Sequence, residues 1–346
     1  MVKLSDVARL AGVGVGTASR AISGNGAVSP ESRRRVLAAA EELGYRPNAA
    51  ARALRERRTR AVGLLLPDIV NEFYTASAAV IQSDLDDAGY QLVVGVTGND
   101  PRAERHAVRT MLDRQVDGLI HVPVDPHVEL PADLPAVQLN RHSDPLRVSA
   151  VVSDDVAGVG ELTSAVIGAG HTDLVAVIGA PEFSTSRDRL AGYRRAVAAA
   201  GIPEAGAAPA ERPAAGRRSR VLTGPFTSQW GYDALTGIAG DRPQALIALS
   251  SRLMMGVLRA CGDLGLRIPE DISVAGLGDP EWFSVWRPGI TTFAPALADM
   301  GHHAATEVLR AIEEGPAAGA PRLERLPGRV RVRGSVQGLG AAPAPV

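Results

Sequence analysis

Four sets of residues in this chain are of types that can do chemistry. Gly12-Val13-Gly14-Val15-Gly16 spaces three glycines much as a dinucleotide-binding loop does. Such a loop cradles a pyrophosphate only when a strand leads into it and a helix N-terminus follows. The residues before Gly12 read as a polar helix, so the run is expected to be a turn between helices. His302 and His303 are metal-ligand types, but neighbours on a helix leave on different faces, so they are not expected to share an ion. Cys261 is the single cysteine, which permits neither an internal disulfide nor a thiolate metal cluster and suits a reducing compartment. Trp282 and Trp286 stand one helical turn apart and could stack near a ligand, with burial the simpler expectation. Nucleophile, base and oxyanion donors do not recur together as acyl transfer needs, so neither an enzyme nor a cofactor is expected.

The charge distribution offers a better lead. Residues 1–60 carry 12 basic and 5 acidic side chains, a balance of +7, within a chain whose formal net charge is -1. A basic head therefore precedes an acidic body. The head is not a solvated tail, because Leu4, Val7, Ala8 and Ala11 recur on one helical face. A first helix is expected over 6–11 and a second over 15–22, with Gly12-Val13-Gly14 as the break. Ser29-Pro30 starts a third, since serine caps well and proline suits the first helical position. Gly44 stops that helix. Three short helices with a tight turn between the first two make a helix-turn-helix, whose second helix is sized for the major groove.

Asp6-Val7-Ala8, Ala11-Gly12-Val13, Thr17-Ala18-Ser19-Arg20 and Leu43-Gly44-Tyr45-Arg46-Pro47-Asn48 resemble the head of the lactose-repressor (LacI/GalR) family of transcription regulators. The resemblance implies a DNA-binding domain over 1–46 that reads an operator half-site. It also implies a hinge helix within 47–60, over 48–55, that enters the minor groove with Leu54 as the intercalating wedge. Implied DNA contacts are Ser5, Val15, Gly16, Thr17, Ser19, Arg20, Asn48, Ala51, Arg52 and Leu54. Three departures matter. Gly14 stands in place of a capping serine, Ala18 in place of valine and Lys3 in place of a capping threonine. Each weakens local helix stability by roughly 0.5 to 1 kcal/mol. Gly16 has nothing with which to touch a base edge, so readout is expected to rest on Val15, Thr17 and Arg20, with phosphate contacts supplying much of the affinity.

Beyond residue 60 short apolar runs alternate with helical stretches, at 62–66, 92–96, 118–122, 136–139 and 150–152, then at 174–178, 221–222, 246–249 and 272–276. Nearly continuous apolar strands separated by helices are what parallel sheets covered on both faces require. Two such series predict two α/β lobes, and ligands in such sheets sit beyond the carboxyl ends of the strands. No apolar run reaches the ~18 residues of a membrane span, and the first nine residues are charged and polar where a secretory signal would be apolar. A cytoplasmic, soluble protein without a membrane partner is expected.

The family resemblance continues to about residue 336, through Leu66-Pro67-Asp68-Ile69, Asn71, Phe73, Gly170-His171, Arg189-Leu190-Ala191-Gly192-Tyr193 and 264–274. It implies a periplasmic-binding-protein-like sensor body over 61–337, with chain crossings near 157, 291 and 323. The first lobe would then comprise 61–157 and 292–322, and the second 158–291 and 323–337. Residues 203–218 read as a surface loop and 338–346 as a flexible tail. Implied effector contacts are Phe73, Tyr74, Arg189, Phe226, Ser250 and Gly278. Ser250-Ser251 replace an Asn-Asp pair and Gly278 an effector-binding aspartate, which disfavours a plain neutral sugar. The expected protein is an effector-responsive repressor that binds a palindromic operator as a homodimer, with double-stranded DNA and a small polar metabolite, an anionic one favoured over a plain sugar, as partners. A small-molecule receptor without a DNA role explains the body equally well but leaves the basic head without a purpose.

Overall fold

The computed structural model describes residues 2–24, 26–45, 58–205, 216–315 and 320–338. The chain divides into two compact units, Met1–Arg60 and Ala61–Val346. In the first, α1 (Leu4–Leu10), α2 (Val15–Ser23) and α3 (Pro30–Glu42) enclose Val7, Ala8, Ala11, Ala18, Ala21, Val36 and Ala39. A core built mostly of alanines lets short helices approach closely. Gly12, at φ +64°, makes the tight turn that only glycine adopts freely. Helix α1 begins two residues earlier than its apolar pattern suggests, because the Asp6 carboxylate accepts the Lys3 backbone N–H at 3.0 Å and satisfies one donor of the first turn. Ser29 caps α3 by accepting the Ser32 N–H at 3.2 Å. Gly14 caps α2 with no side-chain hydrogen bond.

The body contains β1 (Ala61–Leu66), β2 (Gln91–Val96), β3 (Gly118–His121), β4 (Ala136–Leu139), β5 (Ala150–Ser153), β6 (Asp173–Ile178), β7 (Arg218–Thr223), β8 (Ala245–Ala248), β9 (Ser273–Leu277), β10 (Thr291–Ala294), β11 (Leu323–Leu326) and β12 (Arg329–Arg331). They form two six-stranded sheets, in the orders β11-β5-β4-β3-β1-β2 and β12-β10-β9-β8-β6-β7. Every pairing is parallel except β10 with β12. Helices α4 (Glu72–Asp87), α5 (Pro101–Asp113), α6 (Asp155–Gly168), α7 (Ser184–Ala199), α8 (Ser228–Thr236), α9 (Ser251–Asp263), α10 (Glu281–Val285) and α11 (Leu297–Glu314) cover these sheets. The cores are aliphatic, as sheets buried on both faces demand.

Sheet membership corrects the expected lobe boundaries at the second and third crossings. The chain leaves the first sheet after Ser153, returns after Ala294, and crosses a last time between Leu326 and Arg329. Residues 292–294 thus belong to the second sheet, where Thr292 Oγ1 also donates to the Gly276 carbonyl at 2.8 Å. Residues 323–326 belong to the first sheet, with Leu323 opposite Ala150. Strand β11 alternates exposed and half-buried positions at a sheet edge, so it lacks the apolar run by which the other strands are legible. The short apolar run at 221–222 is the end of a six-residue strand. Its first half is polar because Arg218 and Arg220 pair with Asp173 and Asp241 at 2.6 to 3.4 Å. Of the loop expected over 203–218, residues 206–215 lie outside the described residues, and Arg218 already belongs to that strand.

Candidate ligand cleft and nucleic-acid interface

Helix α2 of the head turns Val15, Gly16 and Arg20 to solvent and half-exposes Thr17 and Ser19, while Ala18 and Ala21 face the core. Ser5 is exposed on α1. Val15 is 50% exposed, more than an apolar side chain at the start of a helix needs to be. The Arg20 guanidinium donates from Nη2 to Thr17 Oγ1 at 3.3 Å and lies over Gly16, whose added Cβ would stand 3.6 Å from Nη1. One short face therefore carries a hydroxyl and a guanidinium beside a position with no side chain. Asn48, Ala51, Arg52 and Leu54, together with the hinge expected over 48–55 and the tail from 339, lie outside the described residues.

In the body the carboxyl ends of β1, β4, β8 and β9 open onto one cavity. Asp68, Asn71, Phe73, Tyr74, Asn99, Asn140, Arg141, Thr185, Arg189, Phe226, Ser250, Ser251 and Gly278 are among its lining residues. All six residues expected in a ligand cleft line it. Phe73 and Tyr74 open α4, whose cap is Asn71, accepting the Phe73 N–H at 3.1 Å. Phe226 is wedged over Gly179, where an added Cβ would fall 2.1 Å from the ring. Ser250 accepts the Arg252 N–H at 3.2 Å and so caps α9. Gly278 has φ +93°, which disfavours any aspartate there. The next residue, Asp279, turns to Arg331 and Arg333 at 3.1 and 2.6 Å.

Arg189 is held firmly. Its Nε donates to Asp155 Oδ2 at 2.7 Å and its Nη1 to the Leu249 carbonyl at 3.0 Å. Nη2 has no protein partner among the described residues. The guanidinium lies 5.8 Å from the Phe226 ring centre, at the outer limit of a cation–π contact. Tyr74 accepts the Asn140 side-chain N–H at 3.2 Å.

Arg141 is the main residue that sequence reasoning missed. It follows β4, is 4% exposed, and stacks at 3.8 Å over Phe183. Burial pulls its pKa below the ordinary arginine value, opposed first by Tyr74, with a smaller lowering from the charge of Arg189 and smaller opposition from Glu104 and Glu182. The signal was available: Asn140-Arg141-His142 is a polar triplet at the carboxyl end of an apolar parallel strand, where ligand contacts concentrate.

The two sheets meet through further polar contacts. Asp68 faces Arg252 at 3.7 Å, Arg325 pairs with Asp188 at 2.6 Å, and the His142 N–H donates to Ser184 Oγ at 3.0 Å. With the sheets so joined the cavity encloses about 40 Å³, space for about one water. A larger hollow of about 370 Å³ lies in the first lobe, beside Val128, Leu134 and Glu307, away from the carboxyl ends of the strands. Its lining includes Gly315 and Ala320, which flank residues outside the described set.

His302 and His303 diverge as expected, to Asp84 at 2.7 Å and to Glu324 at 2.9 Å. Groups of three or more metal-ligand side chains do not occur among the described residues. Of the tryptophans, Trp282 packs edge-on to Phe283, but Trp286 is 40% exposed, which corrects the expected burial. Neither lines the cavity. Among the described residues no helix is long and apolar enough to cross a membrane.

Residues 3–48 match the bacterial regulatory proteins of the lacI family, and residues 163–336 match a periplasmic binding protein-like domain. The transcriptional regulator KdgR of Bacillus subtilis is 30% identical over 347 aligned positions, covering 96% of this chain and 97% of that protein. A putative transcription regulation repressor of the LacI family from Corynebacterium glutamicum superposes with a TM-score of 0.69 at 32% identity, over 80% of this chain and 99% of the other. The lac repressor dimer bound to operator and the anti-inducer ONPF superposes with a TM-score of 0.80 at 25% identity, over 97% and 99%.

Proposed function

The chain belongs to the lacI family of bacterial regulatory proteins, and we propose that it is a cytoplasmic repressor whose homodimer binds a palindromic operator and is switched by a small polar metabolite. The observation that carries this reading is the pairing of a basic helix-turn-helix, its Val15, Thr17 and Arg20 face turned outward, with a body whose two sheets enclose a polar cavity. In this reading Val15, Thr17 and Arg20 read base edges, while Ser5 and Ser19 hold phosphates. Asn48, Ala51 and Arg52 set the hinge against the minor groove, and Leu54 is its wedge.

Phe73, Tyr74, Arg189, Phe226, Ser250 and the Gly278 backbone surround the effector. Because the cavity holds about 40 Å³, far below the volume of ordinary small-molecule sites, the lobes must part to admit a ligand and then close on it. That movement breaks and remakes contacts such as Asp68–Arg252, and a ligand shifts the equilibrium only by its differential affinity for the two arrangements. A position for aspartate held by Gly278, together with Ser250 and Ser251, favours an effector that carries an anionic group over a plain sugar.

The test is retention of DNA in a gel-shift with fragments from around the protein's own gene, followed by addition of ligands found in a thermal-shift screen. A ligand at 100 times its dissociation constant adds about 2.7 kcal/mol to stability. Retention of a palindromic fragment that changes with ligand is expected. Ligand binding without any DNA retention would identify a small-molecule receptor instead.

A further inference from the structure

Two arginines are among the residues that line the cavity, Arg141 and Arg189, and only one of them has a carboxylate partner among the described residues. Arg189 is paired with Asp155 at 2.7 Å; Arg252, which is not among the lining residues, stands 3.7 Å from Asp68, and its Nε is buried without a hydrogen-bond partner. Arg141 has no carboxylate within 4 Å among the described residues. Its Nη1 donates to the Asn99 side-chain oxygen at 2.9 Å, its Nε is buried with no hydrogen-bond partner, and its Nη2 has no protein partner among the described residues. The free Nε and Nη2 form one edge of the guanidinium, the edge that binds a carboxylate or phosphate by two parallel hydrogen bonds.

A buried guanidinium with no carboxylate in contact is costly, and Glu104 and Glu182 act on it only from beyond contact distance. The plane is nevertheless held in one orientation, between the Asn99 oxygen and the Phe183 ring 3.8 Å away, with Phe226 at 5.5 Å. Arg141 comes from the first sheet and the two rings from the second, so its position depends on the lobes being together. Asn140, whose Oδ1 is buried without a partner, Asn71 and Thr185 line the same cavity and are groups suited to hydroxyls.

We propose that Arg141 is the anion anchor of this cleft, binding a carboxylate or phosphate on a hydroxylated small molecule through its Nε–Nη2 edge and drawing the two lobes together on it. This rests on the cleft being the effector site. Arg141 then determines specificity, because a neutral polyol leaves its buried charge unanswered. The depressed arginine pKa, due chiefly to burial, agrees with a charge awaiting a partner.

The experiment measures melting of the full chain with inorganic phosphate, glucose 6-phosphate, gluconate and glucose, at matched ionic strength, for the parent, Arg141→Gln and Arg141→Lys. Inorganic phosphate is expected to stabilise the parent, with its affinity falling at least tenfold in Arg141→Gln and less in Arg141→Lys, which keeps the charge and loses the fork. Without ligand, Arg141→Gln is expected to melt no lower than the parent. Loss of folding or a lower ligand-free melting temperature in that variant would make Arg141 a structural residue and overturn the proposal. So would a parent that phosphate does not stabilise, or a phosphate effect unchanged in Arg141→Gln. The organic probes separate phosphate from carboxylate as the favoured oxyanion. Glucose binding equally to the parent and Arg141→Gln leaves the cleft reading standing and removes the anion anchor. Phosphate binding that depends on Arg141, with no ligand altering DNA retention, keeps the anchor and removes the switch.

Discussion

Arg189 Nε donates to Asp155 Oδ2 at 2.7 Å with both residues almost wholly buried, at 5% and 2% exposure. Asp155 is the first residue of the helix that follows the first crossing between sheets, and Arg189 lines the ligand cavity. The pair joins the cleft to the segment in which the chain passes from the first sheet to the second.

Breaking one side of this pair leaves a buried charge alone. Asp155→Asn is expected to destabilise the body by about 3 to 5 kcal/mol, and the double variant Asp155→Asn, Arg189→Gln by less than the sum of the singles. Urea unfolding of the four proteins checks this. Additive losses would mean the two side chains are not coupled.

Arg20 is the longest polar side chain on the outward face of the second head helix, beside a glycine. Arg20→Ala is expected to relax base preference by about 1 to 3 kcal/mol at one operator position. Selection from random DNA with both proteins reads the effect, and identical consensus sequences would place Arg20 on a phosphate.

A +7 head bound to phosphates must release counterions. Operator affinity is expected to fall steeply as salt rises from about 50 to 200 mM, and a single half-site to bind far more weakly than the palindrome. Fluorescence anisotropy across salt concentrations tests both points. A flat profile, or equal affinity for half and whole sites, would contradict a dimer held by phosphate contacts.

Gly14 caps α2 without an acceptor, at φ -70°, and a Cβ added there meets nothing within 4 Å. Gly14→Ser fits without strain and is expected to stabilise α2 by a few tenths of a kcal/mol. Hydrogen exchange of the α2 amides should slow accordingly, and unchanged rates would show that the serine does not cap.

His171 is 3% exposed, and its pKa is lowered chiefly by burial, against a smaller opposing backbone contact from Gln337. The unfolded imidazole takes a proton near pH 6.5 and the folded one only at lower pH, so acid favours the unfolded chain. Its stabilising effect is full above about pH 6.5 and is lost as pH falls toward the folded value. Melting at pH 7.5 and 5.5 is expected to differ less in His171→Gln than in the parent, and equal differences would exonerate His171.

The head was legible in the sequence because its helices are short-range objects. Ser29-Pro30 starts one and Gly12 turns another through local backbone preferences, and Val7, Ala8 and Ala11 mark the buried face of the first helix by spacing alone. The parallel strands were legible for a similar reason, since burial on both faces writes an unbroken apolar run such as Val62 to Leu66. Resemblance to a known family then pointed to Phe73, Tyr74, Arg189, Phe226, Ser250 and Gly278, which one cavity brings together. Tertiary structure alone decided which sheet takes β10 and β11, because an edge strand such as Leu323–Leu326 is specified by its hydrogen-bonded neighbour and hardly by its own side chains. It alone also decided the charge balance of the cleft. Arg141, Arg189 and Asp155 are ordinary residues in a list, and only the meeting of segments far apart in sequence pairs Arg189 with Asp155 and leaves Arg141 without a carboxylate in contact.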